Sequence, residues 1–246
     1  MRQVPVLPPA PFGIVGNGRV ARHFRHYFSL IGLSVRTWSR DKPDGSSRHD
    51  VAAPHEALAS CHTVLLLIDD SAIEPFVHAW PDLRHKRLVH CSGSLVTAVA
   101  EAAHPLMTFG PDLYDADTYR AIPFLLDAGR TPFTELLPGL PNPSFTIPAA
   151  ERPYYHALCV MAGNFSTLLW RKLFDELERR FGIPASAAHP YLQRVAANLV
   201  ADAGGALTGP LARGDTGTMA ADLHALEGDQ LHGVYAAFVR AYAQRP

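Results

Sequence analysis

Cysteine is scarce in this chain, and neither sign of charge is in excess. Cys61, Cys91 and Cys159 are the only three and stand far apart, with no Cys-x-x-Cys pair. That argues against a disulfide framework and against a thiolate metal site, and it reads as reduced, mostly buried thiols. Lys and Arg number 22 against 23 Asp and Glu, a net charge of −1, so no global imbalance recruits nucleic acid or an anionic membrane. No apolar run approaches the roughly 20 residues that span a bilayer; the longest of note is Val64–Ile68. Met1–Ala10 carries Val4 and Leu7 among prolines but no apolar signal stretch, so a cytoplasmic protein is the expectation. The 13 histidines show no His-Glu-x-x-His spacing. His23 and His26 share a helix face at i, i+3, which reads as a solvated face and not as a metal site.

What the chain does have is a core. At 246 residues and 48% hydrophobic content it is the size of one large domain or two modest ones. Before about residue 148, short β-type runs alternate with helical patterns, the signature of βαβ units and a mostly parallel sheet. Strands are predicted at Phe12–Val15, Val35–Trp38, Val64–Ile68 and Arg87–Cys91, with Ile122–Asp127 and Ser144–Ile147 in addition; Val20–Leu30 and Ser71–Trp80 read as crossover helices. Ser71 with Glu74 predicts a capping box at the second of these. From Pro153 the texture turns helical. Tyr154, Leu158, Met161, Phe165, Leu168, Leu169, Leu173 and Phe181 predict one helix from about Glu151 to Phe181, about 46 Å long at 1.5 Å per residue, stopped by Gly182 and Pro184. Further helices are expected at Pro190–Ala203, Thr218–Leu226 and Gln230–Ala243. The expected division is therefore a doubly wound α/β domain over 1–148 and an all-helical domain over 149–246.

The sharpest motif is Gly16-Asn17-Gly18-Arg19-Val20-Ala21, directly after a strand and opening a helix. Gly16 permits the tight turn, Gly18 lets the backbone approach a pyrophosphate, Ala21 allows close helix packing, and the helix start offers free N–H groups. About 20 residues on, an NAD enzyme usually places an acidic residue on the ribose. Here Thr37-Trp38-Ser39-Arg40 stands instead, and a hydroxyl with an Arg suits a 2′-phosphate; Asp41 comes too late for the ribose. NADP is expected over NAD. Ile68-Asp69-Asp70-Ser71 and His90-Cys91-Ser92-Gly93-Ser94 follow two further strands at the edge where ligands lie in open sheets. Ile68 and Asp69 read as cofactor contacts, Asp70 more readily as a helix cap, and Ser92 and Gly93 either as a turn or as cofactor or substrate contacts. His104 precedes Pro105 and is a candidate proton donor in carbonyl reduction, or a structural histidine.

These motifs, in this order and together with Gly163-Asn164-Phe165 and Thr208–Asp215, resemble the short bacterial oxidoreductase-like proteins allied to the 6-phosphogluconate dehydrogenase superfamily, with β-hydroxyacid dehydrogenases, ketopantoate reductase and pyrroline-5-carboxylate reductase among its members. The resemblance implies an NAD(P)-binding Rossmann domain, a following helical domain, an active site in the cleft between them, and a homodimer formed through the helices. It places Gly16, Gly18 and Arg40 on cofactor positions and Asn164 on the helix that faces the nicotinamide in relatives. Many β-hydroxyacid dehydrogenases carry a catalytic Lys on that helix. Here Cys159–Ser166 contains none, and Lys172 lies about 80° around the helix from Asn164. The proton would then come from His104 or His156, with Asn164 bonding the substrate oxygen, unless His156 is a core residue. Arg213 is a candidate clamp for a substrate carboxylate or phosphate; Asp215 either caps the next helix or holds Arg213. Arg171, Lys172, Arg179 and Arg180 read as a solvated face. The expected function is reduction of a small carbonyl, hydroxy-acid or imine compound; a non-catalytic NADPH sensor or scaffold is the alternative.

Overall fold

The computed structural model describes residues 10–40 and 52–244. Asp41 and the segment with Val4 and Leu7 lie outside them. The chain divides into two compact units, Met1–Phe165 and Ser166–Pro246.

In the first unit, seven strands form one sheet: β1 Phe12–Val15, β2 Val35–Trp38, β3 Thr63–Leu66, β4 Arg87–His90, β5 Glu101–Pro105, β6 Phe124–Asp127 and β7 Ser144–Ile147. Their order is β2-β1-β3-β4-β5-β6-β7, parallel throughout except that β5 runs against β6. Among the described residues six α-helices accompany it: α1 Arg19–Leu30, α2 Pro54–Ala57, α3 Asp70–Ala79, α4 Ala116–Ala121, α5 Phe133–Leu136 and α6 Arg152–Cys159. Side chains alternate across the strands. Phe12, Ile14, Leu65, Val89 and Ala103 pack on one face with Phe24, Tyr27 and Phe28 of α1 and Leu136 of α5. Val15, Val64, Leu66 and Leu88 pack on the other with Ile73 and Val77 of α3. Strands covered on both faces must be apolar at consecutive positions, so β1 and β3 are buried at every residue while edge strand β2 is not. This is the doubly wound, mostly parallel arrangement read from the sequence.

β5 was not anticipated. Its residues Glu-Ala-Ala-His-Pro include no β-branched or aromatic side chain, so nothing local favours a strand; Ala102 and Ala103 are buried, and the strand is held by its pairing with β4 and β6. The predicted capping box does not form. α3 starts at Asp70 after Asp69, and no side chain caps it; the Glu74 carboxylate instead accepts from the Thr97 hydroxyl at 2.5 Å. Asp70 is likewise no cap. His23 is buried, contrary to the solvated-face reading. Its Nε2 donates to the Gly110 carbonyl at 3.0 Å, so Nδ1 accepts from the Tyr119 hydroxyl at 2.7 Å, which ties α1 to α4.

Arg152, at the start of α6, has no exposed surface. Its Nε donates to the Asp127 carboxylate at the end of β6, and its Nη2 donates to the Leu125 carbonyl at 3.1 Å. α6 thus packs with the sheet unit. The predicted helix over 151–181 is helical but not uniform: Val160–Phe165 is π-helical, between α6 and α7 Ser166–Phe181.

The second unit contains α7, α8 His189–Ala201, α9 Pro210–Arg213, α10 Thr216–Ala225 and α11 His232–Ala243. Gly182 and Pro184 end α7 as expected, the Ile183 amide reaching back to the Leu177 carbonyl at 2.9 Å. Trp170 packs edge-on against Tyr191 of α8. Lys172 is not a solvated charge: its Nζ lies 3.1 Å from Glu176 and 2.7 Å from Asp229, joining α7 to the turn before α11. No residue of α7, α8, α10 or α11 is buried. Leu168, Tyr191, Leu199 and Val200 are 56%, 61%, 52% and 90% exposed.

Because a lone carboxylate would remain in the interior, Arg152→Met should lower stability by about 3–5 kcal/mol, whereas pairing it with Asp127→Leu should recover much of the loss. Urea unfolding followed at Trp38 and Trp80 checks this; a single variant within about 1 kcal/mol of wild type would show that the ion pair does not anchor α6.

Candidate functional site

The carboxyl ends of β2, β1, β3 and β4 share one edge of the sheet, and the loops leaving them carry most of the residues singled out in the sequence. Gly16 adopts φ 117°, and a β-carbon there would stand 2.2 Å from the Leu67 carbonyl oxygen. Only glycine fits that turn. Gly18 differs: a β-carbon there would meet no atom within 4 Å, so its backbone presents an open approach. Gly18 precedes the first turn of α1, which has neither a side-chain cap nor an acidic residue. The unpaired amides and positive end of a 12-residue helix therefore face outward. Ala21 is fully buried, as close packing of α1 on β1 requires. Asn17 Oδ1 accepts from both Nη atoms of Arg25 at 3.2 Å. Arg19 Nη1 donates to the Phe109 carbonyl at 3.4 Å, and Val20 packs on the core. These features fit a dinucleotide pyrophosphate. Ser39 and Arg40 follow β2 on this edge, Ile68 and Asp69 follow β3, and Ser92 and Gly93 follow β4.

Ser92 is fully committed. Its hydroxyl donates to Asp70 Oδ2 at 2.5 Å and accepts from the amides of Leu95 at 2.9 Å and Ser94 at 3.3 Å. One donor and two lone pairs are all a serine has. The side chain therefore knots the loop to α3, and what Ser92 can offer a ligand is its backbone.

Since β4 and β5 are parallel with His90 opposite Ala102, His104 stands two residues further along, beside the Ser92-Gly93 turn. α6 brings Tyr155 and His156 to the same place. His104 Nδ1 is 2.8 Å from the Tyr155 hydroxyl, and the His104 and His156 rings meet edge to face with centroids 6.3 Å apart. Gly93 lies between them. A β-carbon there would be 2.5 Å from His156 Cδ2 and 3.0 Å from His104 Nε2. The sequence-predicted His104, His156, Ser92 and Gly93 are thus brought together. Asn164 lies in the π-helical stretch and is exposed. Arg213 and Asp215 belong to the second unit, where Asp215 caps α10 through the Thr218 amide at 3.0 Å and hydroxyl at 2.7 Å.

Burial, with the Arg152 charge second, lowers the pKa of His104 to about 4. The same causes lower that of His90 to about 4, and His90 Nδ1 is buried without a partner among the described residues. Near pH 7 both imidazoles are therefore neutral, and the His104 ring is a hydrogen-bonding group with one N–H and one acceptor nitrogen. Burial also holds the Tyr155 phenol and the Cys91 thiol protonated, both pushed upward. The sequence reading missed Tyr155, Arg152, Asp127 and His90, whose roles appear only once β5 is recognised as a strand and α6 is laid on the sheet. Among the described residues no group of three His, Cys, Asp or Glu is placed to hold a metal.

Gly93→Ala should push the imidazoles apart and shift the His104 and His156 ring resonances while leaving the secondary structure intact, as nuclear magnetic resonance would read; unmoved rings would refute the crowding. Stability should be full above about pH 6.5, the ordinary histidine value, and fall as pH drops toward about 4, because the unfolded chain then binds protons that folded His90 and His104 refuse. Replacing both by Gln should flatten urea midpoints over that interval.

A profile described as a domain of unknown function, DUF2520, matches residues 122–242. No curated protein sequence matches significantly. Among solved structures, a Bacteroides fragilis protein provisionally described as an NADP oxidoreductase is 19% identical at a TM-score of 0.73, over 96% of this chain and 98% of that one. Protein TM1727 of Thermotoga maritima is 19% identical at 0.66, over 95% and 97%. A reductive aminase of Aspergillus terreus, solved with NADPH and ethyl levulinate, is 18% identical at 0.60, over 96% and 93%. At these identities the likeness is one of fold: a Rossmann-like mostly parallel sheet followed by helices.

Proposed function

We propose that this protein is an NADP-dependent oxidoreductase that reduces a small carbonyl or imine compound or oxidises the matching hydroxy acid. The observation that carries this reading is the juxtaposition along one sheet edge of a glycine turn shaped for pyrophosphate and a His104–Tyr155–His156 cluster. The names of similar structures, which include reductive aminases and imine reductases solved with nicotinamide nucleotides, support the same class. Gly16, Asn17, Gly18, Arg19 and Val20 would hold the pyrophosphate, Ser39 and Arg40 the 2′-phosphate, and the Ile68-Asp69 and Ser92-Gly93 backbones the remainder. When bound, the nicotinamide supplies the hydride. His104 would donate a hydrogen bond to the substrate oxygen or nitrogen as charge develops there, with His156 beside it, and the proton that completes the product would come from water. Asn164 is proposed as a substrate-binding group.

The absence of Lys from Cys159–Ser166 favours a second reading, a non-catalytic NADPH-binding sensor or scaffold. His104→Gln separates the two: an enzyme should lose on the order of 10²-fold in kcat while keeping NADPH affinity, whereas a sensor has no turnover to lose.

We also infer a homodimer. Helices that bury none of their residues within one chain leave apolar groups that a second copy would cover. Small-angle scattering should give a mass near twice 26.8 kDa; a monomeric mass at micromolar concentration would refute it. No helix among the described residues is long and apolar enough to cross a membrane.

For the cofactor, calorimetric titration should show NADPH binding more tightly than NADH, and Arg40→Ala should weaken NADPH by about 1–3 kcal/mol, the range for hydrogen bonds to a charged group. Binding of neither nucleotide would overturn the proposal.

A further inference from the structure

We infer that Tyr155 is a positioning residue that fixes His104 in the tautomer protonated at Nε2, so that the N–H beside the Ser92-Gly93 turn is the group offered to substrate. This deepens the reading above and rests on it for its catalytic meaning. The geometry carries it. The hydrogen bond that His104 makes is through Nδ1, to the Tyr155 hydroxyl at 2.8 Å, and the two rings meet edge to face at 5.5 Å. A neutral imidazole has one N–H, so the direction of that bond decides which nitrogen carries the proton. The phenol is the stronger donor of the pair. Burial keeps its proton on, and the Cys159 sulfur one turn along α6, the other acceptor within its reach, is a far weaker one than an imidazole nitrogen. With the phenol donating, Nδ1 accepts and the proton sits on Nε2, the His104 atom nearest to a β-carbon built on Gly93.

The charges around His104 reinforce this arrangement. Arg152 and His156 from α6 and His90 from β4 face it, and all three disfavour an added proton on the ring. His104 is therefore a fixed neutral donor, and only its tautomer is left for a neighbour to set. α6 positions Tyr155 for that task because Arg152, three residues earlier, is locked to Asp127 and the Leu125 carbonyl.

The test reads the tautomer directly and needs no substrate. In protein labelled with ¹⁵N-histidine, two-bond proton–nitrogen correlations distinguish Nε2–H from Nδ1–H, and the peaks missing in His104→Gln assign the residue. Wild type should show His104 as Nε2–H at pH 7, and Tyr155→Phe should convert it to a mixture of tautomers. Nδ1–H in wild type, or an unchanged pattern in Tyr155→Phe, would overturn the inference whether or not the protein turns over NADPH. With a substrate in hand, Tyr155→Phe should lower kcat about tenfold or more with the NADPH KM within twofold, and the rate should stay flat between pH 6 and 8. A correct tautomer in a protein that binds no nucleotide would instead sink the oxidoreductase reading and leave the positioning role standing.

Discussion

A buried ion pair organises this molecule. Arg152 has no exposed surface, and its guanidinium is held by the Asp127 carboxylate and the Leu125 carbonyl, both on β6. Taking two charges out of water costs several kcal/mol per ion, and only close geometry with further hydrogen bonds offsets it. Such a pair is poor as a source of stability and strong as a constraint, because moving α6 off the sheet would leave the Asp127 carboxylate and the guanidinium without each other. From that one fixed point the helix places Tyr155 and His156 against β5, and the Arg152 charge lowers the proton affinity of both His104 and His90.

The sheet supplies the other half of the geometry. β2 is added on one side of β1 and β3 on the other, so the order in which strands join the sheet reverses at β1, and the carboxyl ends of β1 and β3 open a crevice there. Gly16 closes the first turn so tightly that its α-carbon leaves no room for a side chain beneath the Leu67 carbonyl. The next loops along the edge are then tied down by side chains. Ser92 binds Asp70, and Thr97 binds Glu74, so the loop after β4 is fastened twice to α3. The reversal at β6 matters as well: running against β5, it brings Asp127 to where Arg152 can reach it from beside the Ser92 loop.

Most of the sheet unit was legible because strands buried on both faces, such as β1 and β3, announce themselves as short apolar runs, and the edge strands β2 and β7 as short β-type runs between turns. Phe12–Val15, Val35–Trp38 and Ser144–Ile147 came out with their boundaries, and the glycine turn was found by its place between strand and helix. The candidate site was half legible. His104, His156, Ser92 and Gly93 were named singly, but what brings them together was hidden in Glu101–Pro105, whose alanines carry no strand preference and whose burial is a tertiary effect. Arg152 was invisible for the opposite reason. An arginine beside a proline at a helix start looks like surface, and only the burial of Asp127 next to it makes it an anchor. His23 misled in the same way, since a polar residue on a helix is assumed solvated until a tyrosine and a carbonyl are found to satisfy both ring nitrogens.

The anchor that seats α6 also sets the chemistry of the ring it faces. Burial and the Arg152 charge together disfavour an added proton on His104, so near pH 7 that imidazole works as a neutral donor, and what it offers depends on which nitrogen holds the proton. The Arg152–Asp127 pair thus fixes the place of α6 and, through the same guanidinium, the protonation state of His104 beside it.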